Sequence, residues 1–147
     1  MYNFILKTQP RSYNGWHQLA PAGVRYAEVV QRGFSRYNRK FSLLQDDLYG
    51  IIYYFCKKNT GIDADNISKP IWDVLRRIAY NDDKQVKLRF AGVFDLNTQN
   101  VNELDISKLS NKMATDLVAA ITDNKCEHIL YIEIGILNNS LYPLAMS

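Results

Sequence analysis

The chain has 147 residues, of which 47% are hydrophobic and 22% are charged, and its formal net charge is +3. This composition is typical of a globular domain with a sizeable core, and we expect one domain over residues 1–147. Apolar runs of 18 or more residues, which a membrane-spanning helix needs, do not occur. Cys56 and Cys126 are far apart and form no CxxC pair, so the sequence indicates neither a disulfide framework nor a zinc site, and we expect a reducing cytoplasm.

The first 60 residues contain three predicted elements. A strand over residues 2–8 is ended by Pro10 and by the turn-prone Asn14-Gly15 pair. Apolar residues at helical spacing predict a helix over residues 22–37. A run rich in Ile, Tyr and Phe predicts a largely buried strand over residues 48–58.

An amphipathic helix is predicted over residues 67–79, because its apolar residues share one stripe. The stripe consists of Ile67, Ile71, Val74, Leu75 and Ile78. Proline is comfortable only in the first turn of a helix, so Pro70 places the helix start near Asp65 or Asn66, either of which can be the N-cap. Asp63 is then expected at the end of the preceding strand.

The rest of the chain alternates in the same way. Asn81-Asp82-Asp83 predicts a turn into a strand over residues 85–94, and a polar loop follows at residues 97–100. A third helix is predicted over residues 105–122, with Asp105 as a candidate cap, and a last strand over residues 129–137. The order β-α-β-α-β-α-β, with a hairpin-like return after the second helix, indicates an α+β fold with a mixed sheet flanked by helices.

Acidic residues concentrate between the second strand and the third. Five carboxylates and one lysine fall within 21 residues, namely Asp63, Asp65, Lys69, Asp73, Asp82 and Asp83. In an extended segment Asp63 and Asp65 project from the same face, where two carboxylates ~6 Å apart repel by roughly 3 kcal/mol at an effective dielectric of about 20. A hard divalent cation such as Mg²⁺ relieves such repulsion, so this stretch is the leading candidate for a metal site.

A purely structural interpretation of the same residues stays open. Asp65 can be an N-cap, Lys69 can form ordinary i,i+4 pairs with Asp65 and Asp73, and Asp82-Asp83 can be turn chemistry. An EF-hand is excluded, because residues 63–68 lack the fifth-position ligand and the glycine that follows it.

Residues 63–75 and 81–86 resemble the signature of RusA-type Holliday-junction resolvases. That signature is DxDN, a lysine three residues later, an aspartate four residues after the lysine, and DD-x-x-V before a strand. The chain matches every element, with Asp63-Ala64-Asp65-Asn66, Lys69, Asp73 and Asp82-Asp83-Lys84-Gln85-Val86. The specific resemblance covers residues 62–90, and a looser one covers residues 1–95.

The resemblance implies a homodimeric endonuclease, dependent on Mg²⁺ or Mn²⁺, that makes paired cuts in four-way DNA junctions during recombination and repair. Carried over by position, it implies that Asp63, Asp65 and Asp83 bind the metal and that Lys69 is catalytic. The same comparison implies supporting roles for Asn66, Asp73 and Asp82.

The chain departs from the family pattern after residue 95. Compact members pass almost directly to a final strand, whereas about 30 residues intervene here, an insertion at about 97–126. This insertion leaves open the dimer geometry and the preference for junctions over flaps or other branched DNA.

Candidate DNA contacts lie in the first third of the chain. Tyr13 and Trp16, with Arg11 nearby in a polar loop, are candidates for base stacking. A second set of candidates, for phosphate contacts, is Arg25, Arg32 and Arg36, although a solvated helix face explains these three arginines equally well.

Two other functions compete with a nuclease. One is a non-catalytic protein of the same fold that binds branched DNA without cutting it. The other is a structural or partner-binding module whose helix at 105–122 docks elsewhere.

Overall fold

The computed structural model describes residues 1–12, 19–138 and 140. Four strands and three helices alternate along these residues, which confirms the predicted α+β class and element order. They are β1 (Tyr2–Leu6), α1 (Pro21–Tyr37), β2 (Leu48–Cys56), α2 (Ala64–Leu75), β3 (Val86–Asp95), α3 (Asn111–Thr122) and β4 (His128–Ile136). Short 3-10 turns lie at Asp83–Gln85 and Val101–Glu103.

The strands form one mixed sheet in the order β1-β4-β2-β3. Strand β4 is antiparallel to both β1 and β2, whereas β2 and β3 are parallel, with Ile52 opposite Ala91. The predicted hairpin-like return after the second helix is therefore wrong. A parallel neighbour requires a crossover connection, and α2 provides it.

Helices α1 and α2 cover one face of the sheet. Their buried residues, which include Val30, Phe34, Ile71 and Trp72, pack on the inward side chains of all four strands. Trp72 lies so close to β2 that a Cβ on Gly50 would be 2.5 Å from its ring, so only glycine permits this approach. This packing fixes the position of α2 over the sheet.

Helix α3 and the segment before it cover part of the opposite face. Met113 and Leu117 pack against Phe55 and Ile129, whose side chains point away from α1 and α2 because residues alternate along a strand. The residues predicted as an insertion thus form the second helical layer. The helix begins at Asn111, capped by Ser110, and not at residue 105.

The observed start and end of α2 differ from the prediction. Asp63 is the N-cap, without a side-chain cap hydrogen bond, so Pro70 is the seventh residue of the helix and not part of its first turn. The helix ends at Leu75, not at residue 79, and Arg77 has a left-handed φ of 70°. Asp63 also does not end a strand, because residues 57–62 separate it from β2.

Of the helices in the described part of the chain, none combines the length and apolarity that a bilayer crossing requires.

Candidate active site

Lys69 connects α2 to the 3-10 turn that precedes β3. Its Nζ donates a hydrogen bond to Asp73 Oδ1, one helical turn further along α2. The same Nζ lies 3.6 Å from Asp83 Oδ2 in the turn. A single ammonium therefore holds two carboxylates from different elements.

This environment keeps Lys69 charged. The hydrogen bond to Asp73 raises the pKa of Lys69, partial burial opposes that effect, and the charges of Asp73 and Asp83 raise the pKa further. An ammonium with a raised pKa is a poor general base at neutral pH. It is suited instead to stabilising negative charge that develops on a phosphate oxygen.

The turn that carries Asp83 is held by a reciprocal cap. The Asp82 side chain accepts from the backbone N–H of Lys84 at 3.0 Å. The Gln85 side chain accepts from the backbone N–H groups of Asn81 and Asp82, both at 2.9 Å. This capping box leaves the Asp83 side chain outside the turn's own hydrogen bonding and directs it towards α2.

The second carboxylate oxygen of Asp83, Oδ1, has different surroundings from Oδ2. Asp83 Oδ1 is shielded from solvent and has no hydrogen-bond partner among residues 1–12, 19–138 and 140. A buried oxygen without a partner costs about 1–3 kcal/mol. The nearby Tyr80 is also poorly solvated. Its burial raises its pKa well above the usual value, and the charge of Asp83 raises that pKa further. A hard cation would satisfy this oxygen, so Asp83 fits the chemistry of a divalent-metal ligand.

Asp63 and Asp65 lie at the other end of the helix and are exposed. A rise of 1.5 Å per residue separates Asp65 from Asp73 by about 12 Å along the axis of α2. In the part of the chain that the structure describes, no group of three or more His, Cys, Asp or Glu residues is placed to hold a metal ion. The expected convergence of Asp63, Asp65 and Asp83 is therefore not seen, because α2 starts at residue 64 and Asp83 lies beside its middle.

Asn66 has a different position from the one predicted. It is not the N-cap, and its backbone N–H donates to the carbonyl oxygen of Asp63 at 3.0 Å, which closes the first turn of α2. Asn66 and Asp63 line a cavity of about 430 Å³, and Arg11 lies on its opposite side. The start of α2 is thus open to a ligand from the side of residues 9–12.

The arginines predicted to contact DNA lie on α1. Arg25, Arg32 and Arg36 are all exposed, with Arg32 3.7 Å from Glu28 and Arg36 over the Tyr37 ring at 6.0 Å. The other two candidates, Tyr13 and Trp16, lie outside the described residues.

Sequence reasoning missed two residues that support Asp83. Gln85 completes the capping box, and Arg89 donates to the Asp83 carbonyl oxygen at 3.4 Å. The Asp82-x-x-Gln85 spacing is itself a capping-box signature, so the role of Gln85 was readable from the sequence. The contact of Arg89 with the Asp83 carbonyl oxygen depends on the tertiary structure, and no sequence motif around Arg89 predicts it.

Comparison with known families places this site in context. The family described as Endodeoxyribonuclease RusA matches residues 28–106, which is more than half of the chain. The matched range includes α2, the 3-10 turn and β3, and it ends before α3. No curated protein gave a match. The chain belongs to the RusA endodeoxyribonuclease family.

Proposed function

We propose that this protein is a divalent-metal-dependent endodeoxyribonuclease that resolves four-way DNA junctions by paired phosphodiester hydrolysis as a homodimer. Family membership supports the reaction class. The observation that carries the proposal is the Asp83 carboxylate, with one oxygen beside Lys69 and the other buried without a partner among the described residues.

Asp63, Asp65 and Asp83 are the proposed metal-binding residues. Mg²⁺ in nucleotide-processing sites is usually held by one or two carboxylates, and phosphate oxygens and water complete its coordination. A closed cluster of three carboxylates is therefore not required. Asp83 beside Lys69, and the exposed Asp63 and Asp65 at the start of α2, would each hold an ion through one or two carboxylates. When bound, the ion supplies a water of lowered pKa and neutralises charge on the phosphate.

Lys69 is the proposed catalytic residue of the chain itself. In hydrolysis a bond forms between the water oxygen and phosphorus, the bond to one backbone oxygen breaks, and negative charge builds on the remaining phosphate oxygens. The Lys69 ammonium, held by Asp73, is positioned to stabilise that charge. Asp73 and Asp82 act indirectly, since Asp73 orients Lys69 and Asp82 caps the turn that carries Asp83.

One observation favours the non-catalytic alternative, a branched-DNA-binding protein of the same fold. Among the residues described, the acidic side chains do not gather into a group that could hold a metal ion. A protein that binds junctions without cutting them would tolerate this arrangement.

Cleavage of a labelled synthetic four-way junction separates the two functions. We expect the wild-type protein with Mg²⁺ to cut two opposed strands, and Lys69→Met and Asp83→Asn to cut about 10²–10³-fold more slowly while still binding the junction. Glu103→Gln, an exposed acid at the second 3-10 turn, is the matched control and should cut normally. Binding without incision by the wild type, in both Mg²⁺ and Mn²⁺, would establish the non-catalytic function instead.

A further inference from the structure

A series of cavities, which we call the groove, follows the segment of residues 7–12 after β1. Four cavities are lined in part by this segment, and three of them also reach α1 or the start of α2. One, of about 430 Å³, extends from Arg11 to Asp63, and a second, of about 460 Å³, extends from Arg11 to Arg25. The third, of about 300 Å³, lies between Lys7 and Arg36. The groove therefore connects the start of α2 to the far end of α1.

One side of α1 forms a wall of this groove. Arg25, Val29, Arg32 and Arg36 are spaced at 0, +4, +7 and +11 residues, which places them on one side of the helix. The core-facing residues of α1, such as Val30, point in another direction. Arg25 and Arg36 are separated by about 17 Å along the helix, or about five base-pair rises of duplex DNA.

The segment of residues 7–12 is packed against α1 and carries charge of the same sign. Burial raises the pKa of Tyr26 in α1 to about 12. The backbone and the guanidinium of Arg11, which lie beside Tyr26, oppose this rise in pKa. Lys7 and Arg11 are exposed along the segment. The cavity wall also includes Asp116, but this carboxylate accepts a hydrogen bond from Tyr37 at 2.8 Å and lies 4.0 Å from Lys112. Arg32 is paired with Glu28 at 3.7 Å, so the positive charge of the groove comes mainly from Lys7, Arg11, Arg25 and Arg36.

We propose that this groove holds the phosphate backbone of one duplex arm of the branched DNA and leads it to the start of α2. The inference rests on the proposed function and adds the path of the substrate. A row of cations spaced over several base pairs, ending at a pair of carboxylates, matches a polyanionic strand with the phosphodiester to be hydrolysed at that end of the row. Phosphate contacts of this kind fix the register of the arm without reading its sequence.

Binding of a four-way junction in EDTA, measured over a range of salt concentrations, tests the path without any cleavage. Arg25→Gln/Arg36→Gln should reduce the slope of log K against log salt by about 2, roughly one unit for each lost phosphate contact. Lys87→Gln/Lys108→Gln is the charge-matched control. Lys87 lies on β3, the edge strand opposite β1, and Lys108 lies in the loop before α3, so the control should keep the wild-type slope.

The outcomes separate the groove from general electrostatics and from the nuclease function. Arg25→Lys/Arg36→Lys should restore the slope, because a phosphate contact needs only the charge. The proposed path would be overturned if Arg25→Gln/Arg36→Gln and the Lys87→Gln/Lys108→Gln control reduced the slope equally. It would also be overturned if Arg25→Gln/Arg36→Gln kept the wild-type slope. If the slope changes as expected but the wild type cuts no junction with Mg²⁺, the path stands and the proposed nuclease function fails.

Discussion

At the scale of single residues, the site depends on how Lys69 is held. Its ammonium bonds Asp73 within α2 and lies beside Asp83 from a separate turn. The first contact is an i,i+4 pair that the sequence predicts. The second requires the crossover from β2 to β3 and is a property of the tertiary fold.

Asp73→Asn should lower the pKa of Lys69, because the hydrogen bond to the Asp73 carboxylate is the largest cause that raises it. Because the pKa of Lys69 is higher in the folded protein than in the unfolded chain, its contact with Asp73 stabilises the fold fully below the unfolded lysine pKa of about 10.4. This stabilisation is lost as the pH rises through the pKa that Lys69 has in the folded protein. The check is a ¹³C NMR titration of Lys69 Cε in both proteins, with exposed Lys108 as an internal reference. An unchanged Lys69 midpoint in the variant would show that Asp73 does not hold it.

Much of the candidate site was predictable residue by residue, and the reasons for the failures are physical. The short-range relations of Lys69 with Asp73 and of Asp82 with its turn depend on spacing alone, and both are present. Asp63 was expected to end a strand, but it caps a helix that starts earlier than Pro70 suggested. The distance between Asp63 and Asp83 could not be read from the sequence, because it depends on how α2 crosses the sheet.

At the scale of elements, the Gln85 side chain fastens the turn before β3 to the loop at residues 44–46. Besides closing the capping box, the Gln85 amide donates to the carbonyl oxygens of Leu44 at 2.8 Å and Asp46 at 3.2 Å. Two separate loops and the position of Asp83 therefore depend on a glutamine at the end of a short turn.

Gln85→Ala should lower the free energy of unfolding by about 0.5–1.5 kcal/mol, the net contribution of a typical hydrogen bond, because water can replace most of the contacts to residues 44–46 and 81–82. It should also slow junction cleavage, because Asp83 loses its fixed position. Urea unfolding measures the first effect, and Gln99→Ala, in an exposed loop, is the control. A Gln85 variant as stable as the control would mean that the turn is held by other contacts.

The existence of the helix after β3 was predictable from the sequence, but its start was not. The apolar spacing predicted a third helix correctly, and α3 packs its Leu117 on Phe55 and Ile129. Its start at residue 111 was missed, because Asp105 forms only a local turn with Ser107, whereas Ser110 provides the cap. A helix treated as an insertion is part of the fold, since it covers sheet residues that α1 and α2 cannot reach.

Leu117→Ala should therefore destabilise the whole domain by about 2–5 kcal/mol, the usual cost of truncating a buried leucine. Val118→Ala is the matched control on the same helix, because Val118 is 44% exposed and Leu117 is 3% exposed. Urea unfolding followed by far-ultraviolet circular dichroism measures both variants. Equal stabilities would indicate that α3 is an appendage and not a layer of the core.

At the scale of the whole molecule, paired incision sets a requirement of its own. Two symmetric cuts require two equivalent active sites, which a two-fold dimer supplies. The 17.0 kDa chain carries one Lys69–Asp83 site. Light scattering with size-exclusion chromatography should therefore give twice the mass of one chain at concentrations that cut junctions. A mass of one chain in active samples would exclude the paired mechanism.

The proposed nuclease function depends on a divalent cation that Asp83 holds beside Lys69. Anomalous diffraction from crystals soaked in Mn²⁺ tests it most directly, because it locates the ion and its ligands together. The expected result is a peak within bonding distance of Asp83 Oδ1, the buried oxygen, and absent from Asp83→Asn crystals. A fully ordered site with no peak, or a peak away from Asp83, would contradict the account.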